Sequence, residues 1–328
     1  MKVLFTLSIL IFFTHSLFSQ TTLVGHLGGY DSEIPNAMIT DHSGNIIICG
    51  VFDDVIDFDM SAGVFQLTSI NFYDGFIAKY NASGGLIWAK QFGTFITSVE
   101  VDESDNIYAL GSLEGTKDVD PSSATFNLTS NGLHDGALIK LDQSGNLISA
   151  KKIGGIDEDG FTSIKANDSG AIYVTGSFMN TVDFDPSGAV FNLTPSNMGT
   201  FYFCNTGFIA KYDYNFNFIW AKRIASSGLL TLHKSDPDHE YFLLSTAGVS
   251  AMSTDSADFD PSPTNFISPV PDPLPEAHWM GHIKYNADGE YVWSKFYRTF
   301  GSLGGSSLGI YDVEMDADQN IYFTGSFI

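Results

Sequence analysis

The sequence predicts an all-β fold: a β-propeller of four-stranded antiparallel blades, about five of them in this chain. Three observations carry that expectation. A set of short motifs recurs four times in fixed order, and its leading aspartates, Asp57, Asp118, Asp183 and Asp258, stand 61, 65 and 75 residues apart. Each motif has the length and the β-branched and aromatic content of a strand, with turn residues between motifs. No stretch beyond the first twenty residues shows an apolar period of 3.6.

The opening stretch, MKVLFTLSILIFFTHSLFSQ, reads as a secretory signal peptide over residues 1–19. Lys2 supplies the positive start, Val3 to Phe13 a short apolar run, and Ser19 a small residue at the cleavage point. The run is too short to span a bilayer with ease. The protein is therefore expected outside the cytoplasm, secreted or at a cell surface, and no later segment reads as a membrane span. The propeller then occupies residues 20–328. Residues 22–29 resemble the ends of the later units and read as the last strand of a blade. The units run approximately over 37–94, 95–160, 161–227, 228–302 and, in part, 303–328.

Within a unit, the first landmark is NIIICGVF from Asn45, with NIYALGSL, AIYVTGSF and NIYFTGSF as its later copies. A turn of the type DHSGN precedes it, so a short strand such as Ser98–Asp102 pairs back onto it. The aspartate motif follows, on a longer segment that joins two hairpins. GFIAKY (Gly75–Tyr80) and IWAK (ending at Lys90) make the second hairpin across the turn NASGG, and they recur as GALIKL with ISAK, GFIAKY with IWAK, and MGHIKY with VWSK. Two hairpins per unit give the four strands of a blade. The last landmark copy ends near Ile328, where another aspartate motif is due. The chain is thus expected to be a truncated reading of a larger propeller.

The run D-x-S-G-N-I-Y-x-x-G-S-F, then V-D-F-D-P-S, then D-G-F-I-A-K-Y-D-x-x-G-N-x-I-W-A-K, resembles the SBBP β-propeller repeat proteins exported by bacteria, over essentially the whole mature chain. The resemblance implies a repeat scaffold with no shared catalytic motif. It also implies that a longer form would carry a sorting domain of the type IX secretion kind.

Composition limits the partners. The 44% hydrophobic content is enough for a sizeable core. With 38 acidic against 15 basic residues, the net charge of −23 argues against nucleic acid and against anionic membranes. A protein or a neutral glycan is the expected partner, and the chain is expected to be a monomer. The two cysteines, Cys49 and Cys204, occupy different positions of the repeat and read as lone packed thiols.

The paired aspartates have two readings. The pairs are Asp57 with Asp59, Asp118 with Asp120, Asp183 with Asp185, and Asp258 with Asp260. In an extended segment residues i and i+2 share a side, so each pair presents two carboxylates that, with turn carbonyls, offer a site to Ca²⁺. Alternatively each aspartate caps backbone N–H groups in a turn while Phe58, Val119, Phe184 or Phe259 plugs the core. A motif that recurs once per unit points first to architecture.

Catalysis needs an asymmetric cluster, and the repeat breaks most in the fourth unit. His233, Asp236, Asp238 and His239, and the pair His278 and His282, are the candidates there, each read against a plain surface loop. Trp88, Trp220 and Trp293 recur at one position, with Ser149 in the second unit; they read as packing between blades rather than as a sugar-binding comb. The function expected is an exported binding or cell-surface interaction scaffold with no evident catalytic site. The alternative is a propeller enzyme, a polysaccharide hydrolase or lyase with its site in the axial opening.

Overall fold

The computed structural model of the chain describes residues 28–29, 33–195, 206–224, 229–233, 241–250, 278–299, 308–315 and 321–327, and all regular structure among them is β. Residues 1–19, with the signal-peptide expectation, lie outside the described residues. So do Asp258 and Asp260, Cys204, Asp236, Asp238 and His239. Four sheets of four antiparallel strands follow one another. The first is Glu33–Thr40, Ile46–Phe52, Asp74–Tyr80 and Leu86–Phe92; the second Phe95–Val101, Ile107–Leu113, Asp135–Leu141 and Leu147–Ile153; the third Asp159–Ala166, Ala171–Phe178, Thr206–Asp213 and Phe218–Ile224; the fourth Leu229–His233, Tyr241–Ser250, His278–Asn286 and Tyr291–Thr299. In each sheet, order in space follows order in sequence. A hairpin, Leu308–Met315 with Ile321–Phe327, comes last. No helix among the described residues is long and apolar enough to cross a membrane.

The turns explain the pairing. Asp41 accepts the N–H groups of Ser43 and Asn45 on Oδ1, at 2.9 and 2.8 Å, and Gly44 takes a φ of +79°. The short polar side chain replaces the backbone partners that the reversal removes, and glycine carries the left-handed residue without strain. Asn81, Asp142, Asp213 and Asn286 do the same in the second hairpins. All these turns gather at one end of the sheets.

The second strand of each of the first three sheets is almost wholly buried because both its faces are covered. Ile46 and Ile48 face Phe52, Phe58 and Phe76 on one side, while Ile47 and Cys49 meet Val99, Ile107 and Ile139 of the second sheet on the other. Tyr108, Leu110 and Leu138 in turn meet Ile164, Ile172 and Val174 of the third sheet. The cores therefore lie between consecutive sheets, and the first strands of the second, third and fourth sheets each pack against the sheet before. Burial pushes the Cys49 thiol up to about 12, so it behaves as a small core residue.

Each first strand has one extra residue, a bulge at Asn36, Thr97 and Thr162 in the first three sheets. Asn36 uses it to donate to the Ile96 carbonyl (2.8 Å) of the next sheet, and Thr97 donates likewise to the Phe161 carbonyl (3.2 Å).

Neighbouring sheets are also tied at the turn end. The lysines of the third strands, Lys79, Lys140 and Lys211, donate to the Gln143, Tyr214 and Ala287 carbonyls of the next sheet's turn, at 3.4, 2.9 and 3.1 Å. Lys79 also pairs at 2.8 Å with buried Asp41. Burial would raise the Asp41 carboxyl, but hydrogen bonds from Lys79 and Asn45 outweigh it and hold the group below its usual value.

Trp88 donates through Nε1 to Gln143 O (3.2 Å) and lies so close to Gly145 that a Cβ there would stand 3.3 Å from its ring. Trp220 lies on Gly289 in the same way, at 2.6 Å from the position of such a Cβ. At the junction of the second and third sheets the pair is inverted. Ser149 holds the tryptophan position and Phe216, with φ of +63°, holds the glycine position. Phe216 is buried and meets Tyr108 edge-on at 5.9 Å. A large ring fills the wedge from one side or from the other.

Candidate functional site

The segment carrying the paired aspartates folds as a small two-stranded ribbon at the end of the sheets opposite the turns, not as a plain connector. The ribbons are Val55–Asp57 with Gln66–Thr68, Thr116–Asp118 with Asn127–Thr129, and Val182–Asp183 with Asn192–Leu193. Gly28–Gly29 pairs with the first ribbon. The equivalent Gly93, at the end of the first sheet, donates to Asp118 O in the second ribbon at 3.1 Å.

The extended geometry expected of the aspartate pair ends at its first member. Asp57, Asp118 and Asp183 are the last strand residues, and Asp59, Asp120 and Asp185 stand beyond them in a turn. This corrects the expectation of an extended pair. In the first ribbon, Asp57 Oδ1 accepts from Asp59 N (3.0 Å) and from Phe65 N (2.9 Å). Asp59 Oδ1 then accepts from Ser61 N (2.9 Å), and Ser61 Oγ from Gly63 N (3.0 Å).

The other two described copies repeat the relay. Asp118 Oδ1 accepts from Asp120 N (3.1 Å) and Phe126 N (2.8 Å), and Asp120 Oδ1 from Ser122 N (2.9 Å). Asp183 Oδ1 accepts from Asp185 N (3.1 Å) and Phe191 N (2.8 Å), and Asp185 Oδ1 from Ser187 N (2.9 Å). Asp120 and Asp185, like Asp59, thus spend one carboxylate oxygen on the turn's own backbone. The fourth pair, Asp258 and Asp260, was expected to form an equivalent Ca²⁺ site and lies outside the described residues.

The motif is D-x-D-x-S, three side chains each capturing the N–H two residues on. The serine is a member that reading the two aspartates alone misses, although it stands in every copy. Hydrogen bonds from Ser61 lower the Asp59 carboxyl below its usual value. Among the described residues, no group of three or more His, Cys, Asp or Glu side chains is placed to hold a metal ion.

Between the aspartates, Phe58 is fully buried against Phe52 and Phe76, with ring centroids 6.0 and 5.1 Å away. Tyr80 Oη donates to Phe58 O at 2.9 Å. Phe184 and Tyr212 reproduce the arrangement. In the second repeat Val119 and Leu141 replace both rings at once.

The fourth-unit candidates separate. His278 and His282 both lie on the strand His278–Asn286, paired with Ser250 and Ser245, and not in a loop. His233 ends the strand Leu229–His233.

The ribbon end carries two features that differ between repeats. The first is apolar and exposed. Asp74, fully buried, accepts from Ile70 N (2.7 Å), Asn71 Nδ2 (2.6 Å) and Gln91 Nε2 (2.6 Å). These bonds hold the loop before it so that Ile70 and Phe72 stand 87% and 80% exposed. Phe72 meets Tyr73 at 5.2 Å, and Tyr73 meets half-exposed Phe95 at 6.3 Å. A contiguous apolar group fixed in water by buried hydrogen bonds is the usual mark of a contact surface. In the equivalent loop of the second repeat, Leu133 is exposed in place of Phe72, with exposed Ile156 lying against Gly132.

The second feature is acidic and buried: Asp135 and Asp159, at the junction of the second and third sheets. His134 stands beside them, 3.0 Å from Glu158 and 3.8 Å from Glu114.

Compared with family models and with curated proteins, the chain matches neither a family model nor a curated sequence.

Proposed function

We propose that this chain is an exported bacterial β-propeller that serves as a binding scaffold at or beyond the cell surface, with its ribbon end as the contact face. The repeated four-stranded sheets, packed in sequence through their first strands, support the propeller reading. The N-terminal stretch supports export, and the repeat motifs support the likeness to SBBP scaffolds. The observation that carries the binding reading is the patch of Ile70, Phe72, Tyr73 and Phe95, anchored through Asp74 and open to solvent. Its partner is a protein or a glycan with an apolar face, met by a monomeric scaffold.

For the alternative of a polysaccharide-cleaving enzyme, one asymmetric carboxylate pair is that of Asp135 and Asp159. At 0% and 2% exposure both are out of reach of a polymer.

The test is surface plasmon resonance of the purified protein against bacterial polysaccharides and against cell-envelope proteins, beside the double variant Phe72→Ser with Phe95→Ser. The expected result is binding to one class and at least tenfold weaker binding by the variant, with an unchanged circular dichroism spectrum. Binding that the variant retains in full would overturn the assignment of this face.

A further inference from the structure

Asp135 opens the third strand of the second sheet, and Asp159 opens the first strand of the third sheet. Asp135 differs from its counterparts in the first and third sheets, and Asp159 from its counterpart in the second; in the first sheet the position of Asp159 is held by Glu33, an acid that is only partly buried. Asp74, the counterpart of Asp135, has both carboxylate oxygens taken by the three donors named above. Asp135 accepts Asn131 N on Oδ2 (2.8 Å) and a further backbone hydrogen bond from Gly132, with Lys152 Nζ standing at 4.0 Å; its Oδ1 is buried with no hydrogen-bond partner. In the third repeat the same position is Thr206, which carries no charge. The counterpart of Asp159 in the second sheet is Thr94, also uncharged, whose hydroxyl donates to Ser112 O.

The two acids flank one short piece of backbone. A Cβ on Gly154 would stand 2.5 Å from Asp135 Oδ1, and one on Gly155 would stand 3.5 Å from Asp159 Oδ2. Gly155 N donates to Asp159 Oδ2 at 2.6 Å and Met179 N to Oδ1 at 3.3 Å. The other charged groups around the pair are Asp157, which accepts from Asn180 Nδ2, and Glu158 and Glu114 flanking His134. Lys152 is the cation facing this set of five carboxylates, with the His134 ring set against Glu158 and Glu114.

A buried carboxylate oxygen without a donor is costly when ionised and cheap when it carries a proton. Four backbone N–H groups and one lysine at 4.0 Å do not neutralise two buried acids. We propose that Asp135 and Asp159 together bind a proton in the assembled protein, making the junction of the second and third repeats a pH-operated latch. With the proton bound, the junction is closed over a neutral pair. With it lost, two like charges face each other across Gly154–Gly155, and the loop Gly155–Glu158, which presents Ile156 at 72% exposure, loosens. Burial raises Asp159 to about 7, aided by the charges of Asp135 and Asp157 and opposed by the two N–H donors. Burial also raises Asp135.

For a carboxyl raised in the folded state, the stabilising contribution is complete below the unfolded value of about 4 and is lost as pH rises through about 7. The experiment is thermal unfolding of the wild type, Asp159→Asn and Asp135→Asn from pH 4.5 to 8.5, with amide hydrogen exchange of the wild type at Gly155 and Met179. The wild type is expected to lose several degrees of Tm between pH 5 and 8, and Asp159→Asn less than half as much. Exchange at Gly155 and Met179 should quicken above pH 7 by at least tenfold beyond the intrinsic base catalysis. Parallel Tm profiles for wild type and both variants would overturn the proposal. Should neither variant fold, carboxyl ¹³C titration of the wild type decides: an aspartate titrating between pH 6 and 8 upholds the latch, and none doing so overturns it.

Discussion

Replacing Asp57 separates the two readings of the paired aspartates. Asp57→Ala removes the acceptor of two backbone N–H groups, those of Asp59 and Phe65. Both bonds are charge-assisted but partly solvated, and water replaces part of what is lost. At about 1 kcal/mol each, the variant should be destabilised by about 2 kcal/mol. Spread over the ~240 described residues at ~2.1 cal/mol/K each, that corresponds to a fall in Tm of roughly 4 °C. Asp57→Asn keeps an oxygen in place and loses only the charge, so it should cost a few tenths of a kcal/mol. The assay is differential scanning calorimetry of the three proteins, with and without millimolar Ca²⁺. If caps explain the motif, Ca²⁺ leaves all three Tm values unchanged. The reasoning is refuted if Asn is as damaging as Ala and Ca²⁺ raises the wild-type Tm alone, because the charge would then matter through a cation. The same comparison at Asp120 and Asp185 should give the smaller loss of about 1 kcal/mol for alanine, since each accepts one serine N–H.

Lys79→Met should cost about 3 kcal/mol in urea unfolding at neutral pH, since it strands the buried Asp41 carboxylate. Because the Asp41 carboxyl is held low, the stability it supplies is present above about pH 4 and lost as pH falls through the folded value. The difference between wild type and Lys79→Met should therefore shrink below about pH 3. Tyr80→Phe leaves the buried Phe58 carbonyl without its donor and should lower stability by about 1–2 kcal/mol, with an unchanged m-value. The inverted wedge predicts coupling: Ser149→Trp and Phe216→Gly should each destabilise alone, while the double variant should recover at least ~1 kcal/mol relative to their sum in a double-mutant cycle.

The strands were legible because their signals are local. The Asp or Asn that opens a turn and the glycine at positive φ, as in Asp41 and Gly44, sit within five residues of each other and report directly on backbone geometry. The ribbons were less legible. Their strands are two or three residues long, below the length at which alternation is visible, so the segment reads as a connector and its aspartates as an extended pair. The contrary signal was nevertheless present in the serine of D-x-D-x-S and in the eight-residue reach from Asp57 to Phe65 N.

The two asymmetric features were not legible. Phe72 reads as core by composition, and only the clamp from Asp74 turns it outward. Asp135 and Asp159 are 24 positions apart on different sheets, and their approach depends on how one sheet seats on the next. The swap of Ser149 with Phe216 shows the same limit. Each looks like decay of a motif by itself, and only their shared wedge makes sense of both.

The bulges at Asn36 and Thr97 each stitch one sheet to its successor. Cohesion of that kind is one-dimensional. A fault introduced in one wedge should spread stepwise to adjoining ones, like a zip opening from the damaged tooth, and sheets farther along should stay protected from exchange longest.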